Sequence, residues 1–430
     1  MIRANTRLKA RTLSAFLIAT LLPLLSVQTV SAQVFAIDGG FALDSQPAEP
    51  SVQFNASDGQ AQALWAQRGS VIAVGLDGAR RSASRSIIMS GVANCDDLPR
   101  CTRYTTPRIA SVPGGHQWLV AAERLDLEDR GFDHIGGGSF PLILSYPRLE
   151  VAAFDAARRV HWRRVLDPAE GNLYIGPQRP SIAATANSVL LAYTDMRPAD
   201  GLRHRLMVQQ LSTRGDLLGE ARAISSPAAA WADNGSLAAS ENEFLLVYET
   251  DQDLRAQRID AFSGTVGRFE VIAVKTAAES TPSGKPVVIY SALHRRYFVS
   301  WREDSRIRLL SLSSSGRPLH APVNLPPPCS GFACLFSSQV AGWPSLSFSP
   351  DGDQLNVVFS ARPVLDTARV GQVAYSLPLA TLASARPSSR WLVAPTDGPA
   401  DESSHAVSAL NPIYAVYRNG NRMYAKFHRE

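Results

Sequence analysis

Carboxylates recur at the ends of short apolar runs: Asp195 in "YTDMR", Glu249 and Asp251 in "YETDQD", Glu303 and Asp304 in "SWRED", and Asp366 in "VLDTA". Paired carboxylates facing one pocket can act as general acid and base on a glycosidic bond, or ligate calcium. They also read as turn residues, several of them neutralised in place by a nearby arginine, Arg197, Arg255 or Arg302. Recurrence favours the turn reading, because a catalytic site needs different residues on different repeats. Among eight histidines, His134 beside Asp133 has the setting best suited to chemistry; the plainer reading is a solvated loop side chain. No G-x-S-x-G elbow, H-E-x-x-H helix, Gly-rich phosphate loop or S-x-D-x-G-x-x-W box occurs. No cofactor or metal site is indicated.

The elements that must position these groups form a repeat. Each unit opens on Pro50, Pro107, Pro180, Gly235, Pro286 or Pro344, runs through a short apolar strand, turns, and enters a second strand ending at Trp65, Ala122, Tyr193, Tyr248, Trp301 or Phe359. The offsets are 15, 15, 13, 13, 15 and 15, all odd and differing by two. Strand side chains alternate with period two, so a hairpin longer by two residues keeps every side chain on its face. A degenerate further unit ends the chain in "SHAVSALNPIYAVYRNGNRMYAKFHRE", with Tyr417 in the aromatic place, and stops one strand short. The segment "QVFAIDGGFALDS" can supply that strand, closing a ring and removing an unpaired edge. The sequence therefore predicts an all-β chain forming a single β-propeller over 33–430, with seven four-stranded blades and residues 33–45 as the outer strand of the last. The repeated aromatics are expected to be core between blades, not ligand platforms.

Within 180–316, "YTDMR", "QQLSTRG", "YETDQD", "AQRIDAFSG" and "SWRED" followed by "LSLSSSG" carry a resemblance to secreted bacterial β-propeller repeat proteins. Their blades show an aromatic-x-Asp-x-Arg turn, then a strand ending in Gln-Arg and a turn glycine. One blade, "PSLSFSPDGDQLNVVFSAR", is similar to the periplasmic Tol-system propeller class. These resemblances cover about a third of the chain and one blade; they imply fold and compartment, not a reaction.

The chain opens with a basic stretch, an apolar run from about Leu13 to Val27 and small residues up to Ala32, the order of a secretory signal cut after Ala32. An exported protein, periplasmic or extracellular, follows, with no membrane span expected and a monomer as the simplest state. Residues 1–32 carry Arg3, Arg7, Lys9 and Arg11 without an acid, so the formal charge of +5 falls to +1 (5 − 4) on cleavage. The basic precursor thus gives no argument for a nucleic-acid partner. Cys95 with Cys101, and Cys329 with Cys334, form two close pairs that read as local disulfides in an oxidising compartment.

The cysteine pairs, the insertion at 124–148 and Trp231 and Trp343 fall in connections expected on one rim. The leading reading is a non-catalytic module that binds a protein or glycan there, with Trp231, Trp343, Asp133 and His134 as contact residues. The alternative is a carbohydrate-active enzyme, a glycoside hydrolase or lyase, using Asp195, Glu249, Glu303 and His134.

Overall fold

Runs of β-branched and aromatic residues between polar turns leave little to form helices, and among the described residues every element is a strand except one 3-10 turn at Leu379–Thr381. The computed structural model describes residues 33–36, 50–55, 60–76, 85–92, 98–135, 138–166, 176–196, 204–224, 231–274, 285–303, 306–325, 339–340, 342–349, 351–362, 371–382, 389–393, 405–408, 413–419 and 422–428. Among these, no helix is long and apolar enough to cross a membrane.

Strand β1 (Gln33–Ala36) precedes six blades of contiguous chain. Blade 1 is β2 (Ser51–Asn55), β3 (Gln60–Gln67), β4 (Ser70–Leu76) and β5 (Arg85–Met89); blade 2 is β6 (Arg100–Ser111), β7 (Gln117–Ile135), β8 (Gly138–Asp155) and β9 (Val160–Leu166). Blade 3 is β10 (Pro177–Ala184), β11 (Ser188–Asp195), β12 (Arg205–Ser212) and β13 (Arg222–Ala223); blade 4 is β14 (Ala232–Ala239), β15 (Glu243–Thr250), β16 (Asp253–Asp260) and β17 (Val266–Val274). Blade 5 is β18 (Val287–Ser291), β19 (Arg296–Glu303), β20 (Arg306–Leu312) and β21 (Val323–Leu325). Blade 6 has its inner strand split into β22 (Gln339–Val340) and β23 (Ser345–Phe348), both paired with β24 (Gln354–Arg362), then β25 (Gly371–Pro378) and β26 (Ser389–Val393). The chain ends in β27 (His405–Ser408), β28 (Ile413–Asn419) and β29 (Arg422–His428), and β1 pairs antiparallel with β29, Gln33 opposite Phe427.

The β-propeller expectation stands, and the expected seven equivalent four-stranded blades are corrected to six blades of contiguous chain. Two features break the equivalence: the split inner strand of blade 6, and a terminal sheet that needs strands from both ends of the chain. A second difference concerns 124–148. Read from sequence as an insertion, it continues the second and third strands of the blade as a long hairpin, paired from Gln117 opposite Asp155 out to Ile135 opposite Gly138.

The repeated aromatics do the packing expected of them. Tyr193 clusters with Leu119, Val151 and Ala153 of blade 2, Tyr248 with Leu190 and Leu206 of blade 3, Trp301 with Val247 and Leu254 of blade 4, and Phe359 with Phe298 and Ile307 of blade 5. Each second strand thus plugs its aromatic into the preceding blade, and each of these side chains is at most 3% exposed. Neighbouring inner strands meet at the axis without forming a sheet. A serine one residue after the opener supplies the link: the N–H of Ile109 donates to Ser51 Oγ (3.3 Å), that of Leu237 to Ser181 Oγ (3.0 Å), and that of Val288 to Ser236 Oγ (3.1 Å). Gly235 takes the opener's place in blade 4, where a Cβ would stand 2.9 Å from Leu206 Cδ1.

Two outcomes follow. Ser181→Ala and Ser236→Ala each leave an inner-strand N–H without its acceptor and should each cost about 1 kcal/mol in urea unfolding. Burial pushes the Tyr248 and Tyr297 hydroxyls up to about 12. The neutral phenol is the form the fold favours, so stability should hold below about pH 10 and fall as pH rises towards 12, with phenolate absorbance from these two appearing together with unfolding.

Candidate active site at the channel mouth

The inner strands enclose a central cavity of about 900 Å³, within the size range of small-molecule sites. At one end it is lined by the residues immediately before the openers: Thr106, Arg179, Asn234, Lys285 and Trp343. Four of these have left-handed backbone, with φ of 47° at Thr106, 53° at Arg179, 53° at Asn234 and 27° at Lys285. In blades 2, 3 and 4 the cause is a bulge in the inner strand, between Thr105 and Arg108, Gln178 and Ser181, and Asp233 and Ser236. A bulge turns one extra residue out of the ladder, and the proline that follows in blades 2 and 3 has no N–H to pair. Non-glycine residues in this conformation are strained, and such strain concentrates at functional sites.

Carboxylates hold these mouth residues from behind. The Arg179 N–H donates to Glu123 Oε1 (2.6 Å), and Thr105 Oγ1 donates to Glu123 Oε2 (2.8 Å). The Arg179 guanidinium pairs with Asp233, whose other oxygen accepts from Thr194 Oγ1 (2.6 Å) and the Asn234 N–H (2.6 Å). His204 Nδ1 lies 3.8 Å from Asp233 Oδ2. Asn234 Nδ2 donates to Glu249 Oε2 (3.0 Å), and Glu249 is opposite Asp233 across β14 and β15, which puts both side chains on one face. Glu249 is fully buried and the Asp233 side chain is 6% exposed, whereas Glu123 is half-buried and open to solvent.

The acids singled out in the sequence separate into two kinds. Asp195 and Glu303 engage arginines on their own blades, Arg205 (3.1 Å) and Arg308 (2.8 Å), and Glu249 joins the mouth network. The arginines expected to neutralise them are placed differently: Arg255 pairs with Asp253, and Arg302 sits with its Cζ 5.5 Å from the Trp343 ring centroid. Asp251 precedes β16, while Arg197, Asp304 and Asp366 lie outside the described residues. Trp343 lines the cavity; Trp231, half-buried just before β14, is not among its described lining residues. Asp133 and His134 lie near the tip of the blade 2 hairpin, opposite Phe140 and Ser139, their side chains outside the described set. Cys101 is buried on β6, and Cys95, Cys329 and Cys334 lie outside the described residues. Glu123, Arg179 and Asp233 were not found from sequence, although the opener Pro180 marks the position next to Arg179.

No protein-family model and no curated protein matches the chain. Solved structures do. The GH93 α-L-arabinofuranosidase of Fusarium graminearum in complex with arabinobiose is 14% identical, with a TM-score of 0.51 over 81% of this chain and 98% of that one. An α-L-arabinofuranosidase from Fusarium graminearum with an iminosugar inhibitor gives 14% and 0.51 over 79% and 95%. An α-L-arabinanase of Penicillium chrysogenum with arabinobiose gives 13% and 0.45 over 81% and 99%. At this identity the likeness carries the propeller fold. It also corrects the expectation of a module without chemistry, because the solved propellers of this shape include glycoside hydrolases.

Asn234 provides a test of this geometry. Asn234→Gly keeps the left-handed backbone and loses only the donor to Glu249, whereas Asn234→Val also forces a branched side chain to φ 53°. The valine variant should be the less stable by a further ~1–2 kcal/mol in thermal unfolding.

Proposed function

We propose that the protein is a carbohydrate-active enzyme, a glycoside hydrolase acting at the channel mouth. The observation that carries this reading is the convergence of two carboxylates from different blades, Glu123 and Asp233, on the strained Arg179 between them. Hydrolysis of a glycosidic bond needs one group to protonate the leaving oxygen and a second carboxylate to face the positive charge growing at the anomeric carbon. Glu123, open to solvent, is the proton-transferring group. Asp233, surrounded by donors, is the carboxylate that faces the anomeric centre. As the bond from the anomeric carbon to the leaving oxygen breaks, the Glu123 proton moves to that oxygen. Water then supplies hydroxide to the anomeric carbon and returns a proton to the carboxylate pair. Glu249 acts through Asn234 as a positioning residue. Export through the segment read at 1–32 would place the enzyme where polymeric glycans are met.

Aryl glycosides and arabino-oligosaccharides are the first substrates to assay, given the arabinose-directed names of the structural neighbours. Glu123→Gln and Asp233→Asn should each lower kcat by about 10²–10⁴-fold. Glu303→Gln, in a residue held by Arg308 on its own blade, should stay close to wild type. Full kcat in either of the first two variants would remove that residue from the reaction.

A further inference from the structure

We propose that the channel beneath the mouth takes the apolar aglycone of a glycoside whose sugar is held above it, so that the substrate is an amphiphile, an alkyl or aryl glycoside. The proposal rests on the hydrolase reading for the sugar end and on a separate observation for the aglycone, the change of polarity along the cavity.

The cavity lining follows the inner strands from the openers to the turns at the far end, where Glu241 stands in the hairpin between β14 and β15. In blade 4 this stretch, from Asn234 to Ser240, is about 20 Å long at the usual rise of a strand. Two residues past the opener all six blades are apolar, with Val52, Ile109, Ile182, Leu237, Val288 and Leu346. Each is 3–7% exposed, and the last five have their bodies packed between blades with an edge left to the channel. One residue further on, Ala110, Ala183 and Ala238 keep the bore open, and Gln53 and Ser347 are neutral. Between the level of Arg108 and that of Glu241, no described lining residue is charged.

The backbone of the wall suits the same occupant. Inner-strand edges facing a channel carry N–H groups that a hydrocarbon cannot satisfy. At the apolar ring three of these, on Ile109, Leu237 and Val288, already donate to serine hydroxyls. Further down, Ala239, Ile289, Tyr290 and Phe348 line the cavity half-buried, so part of each side chain is open to an occupant. An alkyl chain there removes its own surface and theirs from water, a gain of up to about fourfold in affinity per methylene. A polar aglycone of the same length would give up its hydration to a wall with few groups to replace it. Sugar chemistry at the polar mouth and apolar burial below it thus belong to one continuous cavity of about 900 Å³.

The probes are methyl, butyl and octyl glycosides and a triethylene glycol glycoside of about the octyl length, each made on arabinofuranose and on galactose and used below micelle-forming concentrations. Sulfur-linked versions, which resist hydrolysis, report binding by calorimetry on the full mature chain, and oxygen-linked versions report turnover. In at least one sugar series the octyl probe should bind at least about tenfold more tightly than the butyl one, with a more negative heat-capacity change. The triethylene glycol probe should bind no better than the methyl one. Val287→Thr keeps the shape of a lining side chain and makes it polar, and Ala239→Phe fills the bore; each should cut the octyl advantage several-fold and leave the methyl probe unchanged. An octyl probe that binds no better than triethylene glycol in both series, or an advantage that survives both substitutions, would overturn the proposal. Chain-length-dependent binding without turnover of any oxygen-linked probe would uphold it and remove the hydrolase reading, whereas turnover indifferent to the aglycone would do the reverse.

Discussion

The structure depends on how the inner strands meet at the axis. Sheets arranged around a channel bring their innermost strands together without letting them share a ladder, so edge N–H groups there must find other acceptors. Here the serines one residue past the openers of blades 1, 3 and 4 reach to the next inner strand, from Ser51 to Ile109, Ser181 to Leu237 and Ser236 to Val288. Strand pairing is broken just before Ser181 and Ser236 by bulges at Arg179 and Asn234, and a third bulge, at Thr106, stands at the same place in blade 2. The device that joins the blades also turns these residues over the channel, so architecture and site have one cause.

Energetically the two layers differ. Outside the axis the blades are held by apolar burial, with Tyr193, Tyr248, Trp301 and Phe359 each closed off from water in a gap between sheets. At the axis the interactions are polar and strained, and they hold because the layer around them is rigid. A carboxylate as buried as Asp233 is tolerable only with donors on both oxygens, which Thr194, the Asn234 N–H and Arg179 supply from two blades. Any motion of one blade against the next would leave that charge uncompensated, so the site itself helps lock blades 3 and 4 together.

The fold was legible because strand parity is a strong constraint: the offsets from opener to aromatic could vary only by two, and they did. Equivalence of the units was the part that failed. Sequence spacing does not reveal that the inner strand of blade 6 divides around Trp343, nor that 124–148 simply lengthens a hairpin. The site was less legible. Glu249 was visible as an acid closing a strand, but Asp195 and Glu303, one residue further past the aromatic than Glu249, pair with arginines on their own blades. Glu123 escaped because its blade has Ala122 where the others have an aromatic, and Arg179 because it stands before the proline that drew attention. A left-handed residue before proline has no sequence signature, since proline disfavours a helical backbone there without specifying what replaces it.

The central claim is that catalysis occurs at the end of the channel where Arg179 and Asn234 emerge. The most direct measurement is a crystal structure of the Asp233→Asn variant soaked with the oligosaccharide that the wild-type enzyme turns over best. The account predicts a sugar ring in that mouth, its glycosidic oxygen within hydrogen-bond reach of Glu123 and its ring beside Trp343. A saccharide bound instead at the Glu241 end, or on the outer strands of the blades, would contradict it.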